Sequence, residues 1–211
     1  MKYVEFPAGE KYETLYKRYF EKGVEYVGMH AVSGSALDLC GGTGRLSKYL
    51  REKGHDVTYL DRCEQMCLLD ASYPKIISTV EDFANSDLVF DNILCMQAIN
   101  YWFHTVDISA FANRVNKRFV FNTFINRPKT EKTVREYVID GLSFKEIYHM
   151  DGETVCHCQE CYCDNILVDS HYTEFLYIPV ETFIEKLKPY FNVNVIRNKG
   201  SALFICDKKM S

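Results

Sequence analysis

Residues 35–51 constrain this chain more than any other stretch. Ser35-Ala36-Leu37-Asp38-Leu39-Cys40 reads as a buried strand, Gly41-Gly42-Thr43-Gly44 as a sharp turn, and Leu46, Tyr49 and Leu50 follow at helical spacing. A strand-turn-helix of this kind puts glycines where the backbone must bend tightly and lie close to a ligand. The helix then aims unpaired N–H groups into the same crevice. Such a unit needs a parallel sheet around it, so the rest of the chain should supply further strands and crossover helices.

The sequence downstream does so. Gly54-His55 is a helix stop, and Asp56-Val57-Thr58-Tyr59-Leu60-Asp61 is a second strand ending on an acid. Residues 64–71 read as helical, Ile76-Ile77-Ser78 as a short third strand, and Leu88 to Met96 as a fourth, apolar on both faces. A helix over 106–116 leads to a fifth strand, Arg118 to Phe124, and residues 128–140 read as a further helix. Beyond them the chain alternates and is rich in Tyr, Thr, Val, Ile and Cys, with breaks at Asp151-Gly152 and Asp164-Asn165. This predicts three antiparallel strands at 143–149, 154–163 and 166–178. A helix over 180–190 and a closing hairpin around Lys199-Gly200 complete the chain. Ahead of it all, Tyr12, Leu15, Tyr16, Tyr19 and Phe20 give residues 11–26 an amphipathic helical face. That helix either packs on the domain or covers the crevice as a lid, bringing a tyrosine hydroxyl to the ligand.

Composition narrows the function. With 211 residues, one α/β domain fits; 25 basic against 29 acidic residues leave a formal charge of −4, which gives no general attraction to nucleic acid. No apolar run reaches the ~18 residues of a membrane span. The first ten residues contain no apolar signal core, so a cytoplasmic location is expected. The nine cysteines are then expected to be reduced, several of them acting as small core hydrophobes. In Cys156-His157-Cys158-Gln159-Glu160-Cys161-Tyr162-Cys163 the spacing suits a zinc knuckle. On one continuous strand, however, Cys156 and Cys158 face opposite to Cys161 and Cys163, so no metal is expected.

The acids at the strand tips suggest ligand roles. Asp61, 23 positions after Asp38, can accept hydrogen bonds from both hydroxyls of an adenosine ribose, or cap the next helix. Met66, one turn on, can cover a base. Asp82 can bind an exocyclic amine while Phe83 packs on the base, or again act as a cap. Gln97-Ala98-Ile99-Asn100-Tyr101-Trp102-Phe103-His104 lies at the carboxyl end of the fourth strand, where open α/β sheets hold substrates.

With these residues in place, the chain resembles the class I S-adenosylmethionine-dependent methyltransferases over almost its whole length. Asp38, Gly42 and Gly44 match the acid and Gly-x-Gly of that family's nucleotide loop, with Cys40 where a first glycine is usual. Ser47 stands where dinucleotide-binding enzymes need a third glycine, which argues against them. The resemblance implies a doubly wound, seven-stranded, mostly parallel sheet of order 3-2-1-4-5-7-6 with its last strand antiparallel. It also implies a single domain over 1–211, with a helical lid at 1–30 and an antiparallel substrate-cap insert of three strands at 142–178. S-adenosylmethionine would be the cofactor. Asp38 would lie near its ammonium group, Asp61 on the ribose, Asp82 on the adenine and Gln97-Ala98 along the methionine side. Tyr19, Cys40, Arg62, Met66, Glu81 and Phe83 would complete that site. Asn100, Tyr101, Asn122 and His171 would touch the acceptor, and Tyr101, His104 and His171 are the catalytic candidates. An aromatic, acidic insert suits a small-molecule acceptor methylated on nitrogen or oxygen by a monomer or homodimer. Methylation of tRNA or protein, and a regulatory protein that binds the cofactor without turnover, are the alternatives.

Overall fold

A computed structural model describes residues 9–210, without the side chains of residues 17–22. Its centre is the seven-stranded sheet that the sequence leads one to expect. Strand β1 (Ser35–Leu39) lies between β2 (Asp56–Asp61) and β4 (Phe90–Cys95). Outside them stand β3 (Lys75–Ile77) on one side, and β5 (Val115–Phe124), β11 (Ser201–Lys208) and β10 (Phe191–Asn198) on the other. All neighbours are parallel except β11 with β5 and with β10. The order β3-β2-β1-β4-β5-β11-β10 is thus the expected one.

Helices cover both faces because the central strands are apolar on both. One face carries α3 (Val80–Ala84), α4 (Ile99–Trp102), α5 (Ile108–Ala112) and α6 (Val180–Leu187). Their apolar residues close over Phe119, Phe121 and Phe204, and the last two stack at 4.4 Å between cross-strand partners. The other face carries α2 (Arg45–Glu52) and the second half of α1 (Gly9–Gly28), through Leu46, Leu50 and Val27. Each fully buried ring or branched side chain contributes roughly 1.5–3 kcal/mol relative to exposure.

The insert is larger than the sequence reading. It is a separate four-stranded antiparallel sheet of β6 (Thr133–Ile139), β7 (Leu142–Asp151), β8 (Thr154–Cys163) and β9 (Ile166–Leu176). Residues 128–140, expected to be helical, contain strand β6 instead. The reason is Asp140-Gly141, both at positive φ (50° and 80°), which makes a two-residue hairpin turn into β7. Two smaller corrections apply: residues 64–71 form only a single 3₁₀ turn at Glu64–Met66, and the 106–116 helix is limited to Ile108–Ala112. Helix α1 bridges the two sheets, for Leu15 and Tyr16 pack on Phe144 of β7 and Cys161 of β8. At Tyr16 its backbone leaves helical geometry (φ −110°, ψ 15°).

Candidate active site

The crevice is built first by backbone. Beyond β1 the chain turns through Cys40 (φ 56°), Gly42 (φ 54°) and Gly44 (φ 83°), and α2 begins at once. A Cβ on Gly41 would lie 2.6 Å from the Tyr59 ring, and one on Gly44 would lie 2.3 Å from Leu69. Only glycine lets the loop sit this close to β2 and the segment after it. Tyr59 fixes the loop by donating its hydroxyl to the Gly42 carbonyl at 2.7 Å.

Two carboxylates face this loop. Asp38 is buried and its Oδ2 accepts from the Ser47 N–H (2.9 Å) and hydroxyl (2.7 Å). Burial, offset by those bonds and reinforced by the nearby Asp61 charge, raises its pKa from 3.8 to about 7. Asp61 accepts from the Cys63 N–H through one oxygen and the Gly42 N–H through the other, each at 2.9 Å. Its pKa is also raised, by burial. Among the described residues no cation comes within salt-bridge distance of either acid. A carboxylate has about four acceptor sites, so Asp61 keeps room for further donors. Two buried acids against a glycine loop, with no salt bridge among the described residues, form a site suited to a cationic, hydroxyl-rich ligand.

The remaining expected donor-side residues divide. Met66 is buried with its Cε 3.6 Å from where a Gly42 Cβ would stand, and Cys40 lies in the turn with its thiol against Cys95. The start of α3 is tied to β2 by the Ser78 N–H on the Asp61 carbonyl. There Asp82 is exposed, sharing a reciprocal cap with Thr79, whose hydroxyl donates to its carboxylate and accepts its N–H. Arg62 is exposed, next to Asp61. Phe83 must be corrected: its ring is buried in the core against Phe90 and Phe111, where it cannot wall a base. Glu81 turns away to the Thr105 hydroxyl. The Tyr19 side chain lies outside the described residues.

Beyond the β4 tip opens a cleft of about 1070 Å³, bounded by the main sheet, the insert and α1. Gln97 (φ 59°) marks its inner edge, its N–H held by the Asn122 side chain at 2.8 Å, and Ala98 begins α4 behind it. A small chamber of about 40 Å³ adjoins it, walled by Tyr12, Tyr16, Asn100, Tyr101, His157 and Thr173 among others. Asn100 is committed on both sides, to the Leu176 carbonyl and the Thr123 hydroxyl. The Tyr101 hydroxyl meets that of Thr173 at 2.8 Å, and burial raises its pKa to about 12.

The two candidate histidines fare differently. His104 lines neither cavity and lies just beyond α4, near Glu81 and Lys186, so it is not brought to the chamber as a catalytic candidate should be. His171 is buried on β9 with its ring edge-on to Tyr12 and Tyr16. The histidine that walls the chamber is one that sequence reasoning missed. His157 stacks flat on Tyr148 at 4.2 Å, its Nε2 is buried without a hydrogen-bond partner, and burial holds its pKa near 3. The alternation of β8 could have found it, since it shares a face with the Val155 and Gln159 positions. Its neighbouring cysteines drew attention to a metal instead. Around them, no group of three or more His, Cys, Asp or Glu converges among the described residues.

Residues 37–118, from β1 into β5, match the family model described as a methyltransferase domain. That stretch, which is less than half of the chain, is what resembles a methyltransferase domain. No curated protein matches the sequence significantly. Several solved structures share the fold over nearly the whole chain, at low identity. The sugar N-methyltransferase KedS8 from a Streptoalloteichus species is 17% identical, with a TM-score of 0.71 over 100% of this chain and 97% of that one. Streptomyces venezuelae DesVI is 15% identical (TM-score 0.75; 97% and 100% covered). CalS10, an amino pentose methyltransferase from Micromonospora echinaspora, is 12% identical (TM-score 0.72; 99% and 100% covered).

Proposed function

We propose that this protein transfers a methyl group from S-adenosylmethionine to a nitrogen or oxygen of a small-molecule acceptor. The observation that carries the reading is the pair of buried acids, Asp38 and Asp61, held against a glycine loop at the carboxyl ends of β1 and β2. In this reading Asp38 lies beside the cofactor's ammonium group and Asp61 takes the ribose hydroxyls. Asp82 meets the adenine amine, Met66 and Cys40 flank the site, and Gln97 with Ala98 borders the methionine portion. The similar folds of a sugar N-methyltransferase and an amino pentose methyltransferase support a small acceptor and favour nitrogen.

When bound, S-adenosylmethionine would supply an activated methyl group on its sulfonium, held by Asp38 and Asp61. The residues then have modest duties: to align the acceptor, exclude water and leave its lone pair free. His157 suits this task. An imidazole with pKa near 3 is neutral at physiological pH, and its unpartnered Nε2 can accept a hydrogen bond from the acceptor's own N–H or O–H. Tyr101 and Thr173 set the opposite wall, and the acceptor's proton leaves to water through the open cleft.

Calorimetry with S-adenosylhomocysteine tests the donor site. Wild-type protein is expected to bind it, and Asp61→Ala to weaken binding by roughly 100-fold or more, two charge-assisted bonds being lost. An unchanged affinity in the variant would reject the ribose assignment, and no binding by wild type would reject the whole reading.

A further inference from the structure

The large cleft carries a charge that the rest of the molecule does not. In a chain with more acids than bases, Arg127, Lys129, Arg135 and Lys199 all line it, and among the described residues no Asp or Glu does. The four come from three places: the loop after β5, strand β6 and the β10–β11 turn. Among the described residues none of the four lies within salt-bridge distance of a carboxylate. The insert's own acids do not answer them. Glu146, which pairs with Arg135 in the strand register, is fully buried and accepts from the Tyr137 hydroxyl. Composition suggests an acidic cap, but the surface that the cap turns to the cleft is basic and aromatic.

The cations are also held in position. The Arg135 guanidinium lies over the Tyr148 ring at 5.8 Å and that of Arg127 over Tyr177 at 6.0 Å. The loop that bears Arg127 and Lys129 is pinned by three bonds: Ile125 N–H to the Gly200 carbonyl, the Tyr177 hydroxyl to the Ile125 carbonyl, and Met150 N–H to the Lys129 carbonyl. Four like charges turned into one concave, aromatic-walled space repel each other, and a bound anion relieves that repulsion. Arginine forks in particular match the paired oxygens of a phosphoryl or carboxylate group.

We infer that the acceptor of this enzyme carries an anionic group, a phosphoryl or a carboxylate. That group is bound by Arg127, Arg135, Lys129 and Lys199 in the outer cleft, while the atom to be methylated reaches inward past Tyr148 and Phe175 to the His157 chamber. The inference deepens the proposed methyl transfer and depends on it only for the name acceptor.

The test uses the full chain, calorimetry and three probes: inorganic pyrophosphate, succinate and a single-stranded oligouridylate. Pyrophosphate or succinate is expected to bind, more weakly as salt rises, and whichever binds more tightly tells phosphoryl from carboxylate recognition. The double variant R127Q/R135Q is expected to lower that affinity about tenfold or more while S-adenosylhomocysteine binds as in wild type. The retained S-adenosylhomocysteine binding reports an intact fold. Failure of both small probes to bind, or equal binding by the double variant, overturns the inference. Tighter binding of the oligouridylate than of pyrophosphate, lost in the same variant, overturns it in favour of an RNA substrate. If wild-type protein binds no S-adenosylhomocysteine, the methyl-transfer reading fails, and the anion titrations still decide what the cleft binds.

Discussion

Asp38 illustrates how one residue can set a pH dependence. Its carboxyl group titrates near 7 in the folded protein against 3.8 ordinarily, because it is buried and faces Asp61. The folded state therefore holds a proton that the unfolded state has released between about pH 4 and 7. Stability supplied by this group is full below that window and is lost as pH rises through it. A cation placed beside Asp38 favours the ionised form, so binding of S-adenosylmethionine near neutral pH should expel the proton. The affinity is expected to rise with pH up to about 7 and then level off. Calorimetry in two buffers of different ionisation enthalpy would detect the released proton at pH 6, and an Asp38→Asn variant should show no such release.

At the scale of elements, the hairpins decide how well the insert holds together. Gly141 has φ of 80°, and nothing lies within 4 Å of a Cβ built on it. A valine there therefore meets no clash but must adopt a left-handed backbone, at a cost of about 1–2 kcal/mol. Thermal denaturation of Gly141→Val should show a lower Tm, and an unchanged Tm would contradict the turn between β6 and β7. The same turn explains what could and could not be read from the sequence. The parallel strands were legible because Leu37, Leu39, Ile93 and Leu94 stand in apolar runs, the first of which ends in turn glycines, and their order was what the family resemblance implied. Strand β6 was not, since Thr-Val-Arg-Glu-Tyr-Val-Ile exposes much of itself at a sheet edge and its charges mimic a helix face. Asp38 and Asp61 were legible as acids at strand tips. Phe83 and His104 were misplaced because an aromatic or a histidine beside a strand tip can point into the core, or along a short helix, as easily as into the crevice. The four cleft cations were illegible, since they meet only when the insert folds against the β5 and β11 ends.

For the whole molecule, α1 is the element that joins the parts. Its first half buries Leu15 against Phe144 and Cys161 of the insert, and its second half buries Val27 against the main sheet. Leu15→Ala should therefore lower stability by roughly 2–4 kcal/mol. Its amide exchange should quicken first in β8 and β9, with β1 and β4 still protected. Uniform acceleration across both sheets would show instead that they unfold as one.

The opposite charges on either side of Gln97 have a kinetic consequence. A positively charged donor is drawn to the acids and repelled by the arginine-lined mouth, and an anionic acceptor meets the reverse. Each ligand is thus sorted to its own berth before contact, and neither should inhibit by occupying the other's. In the proposed transfer the donor gives up its sulfonium charge, so the acids should hold the spent donor less strongly than the fresh one.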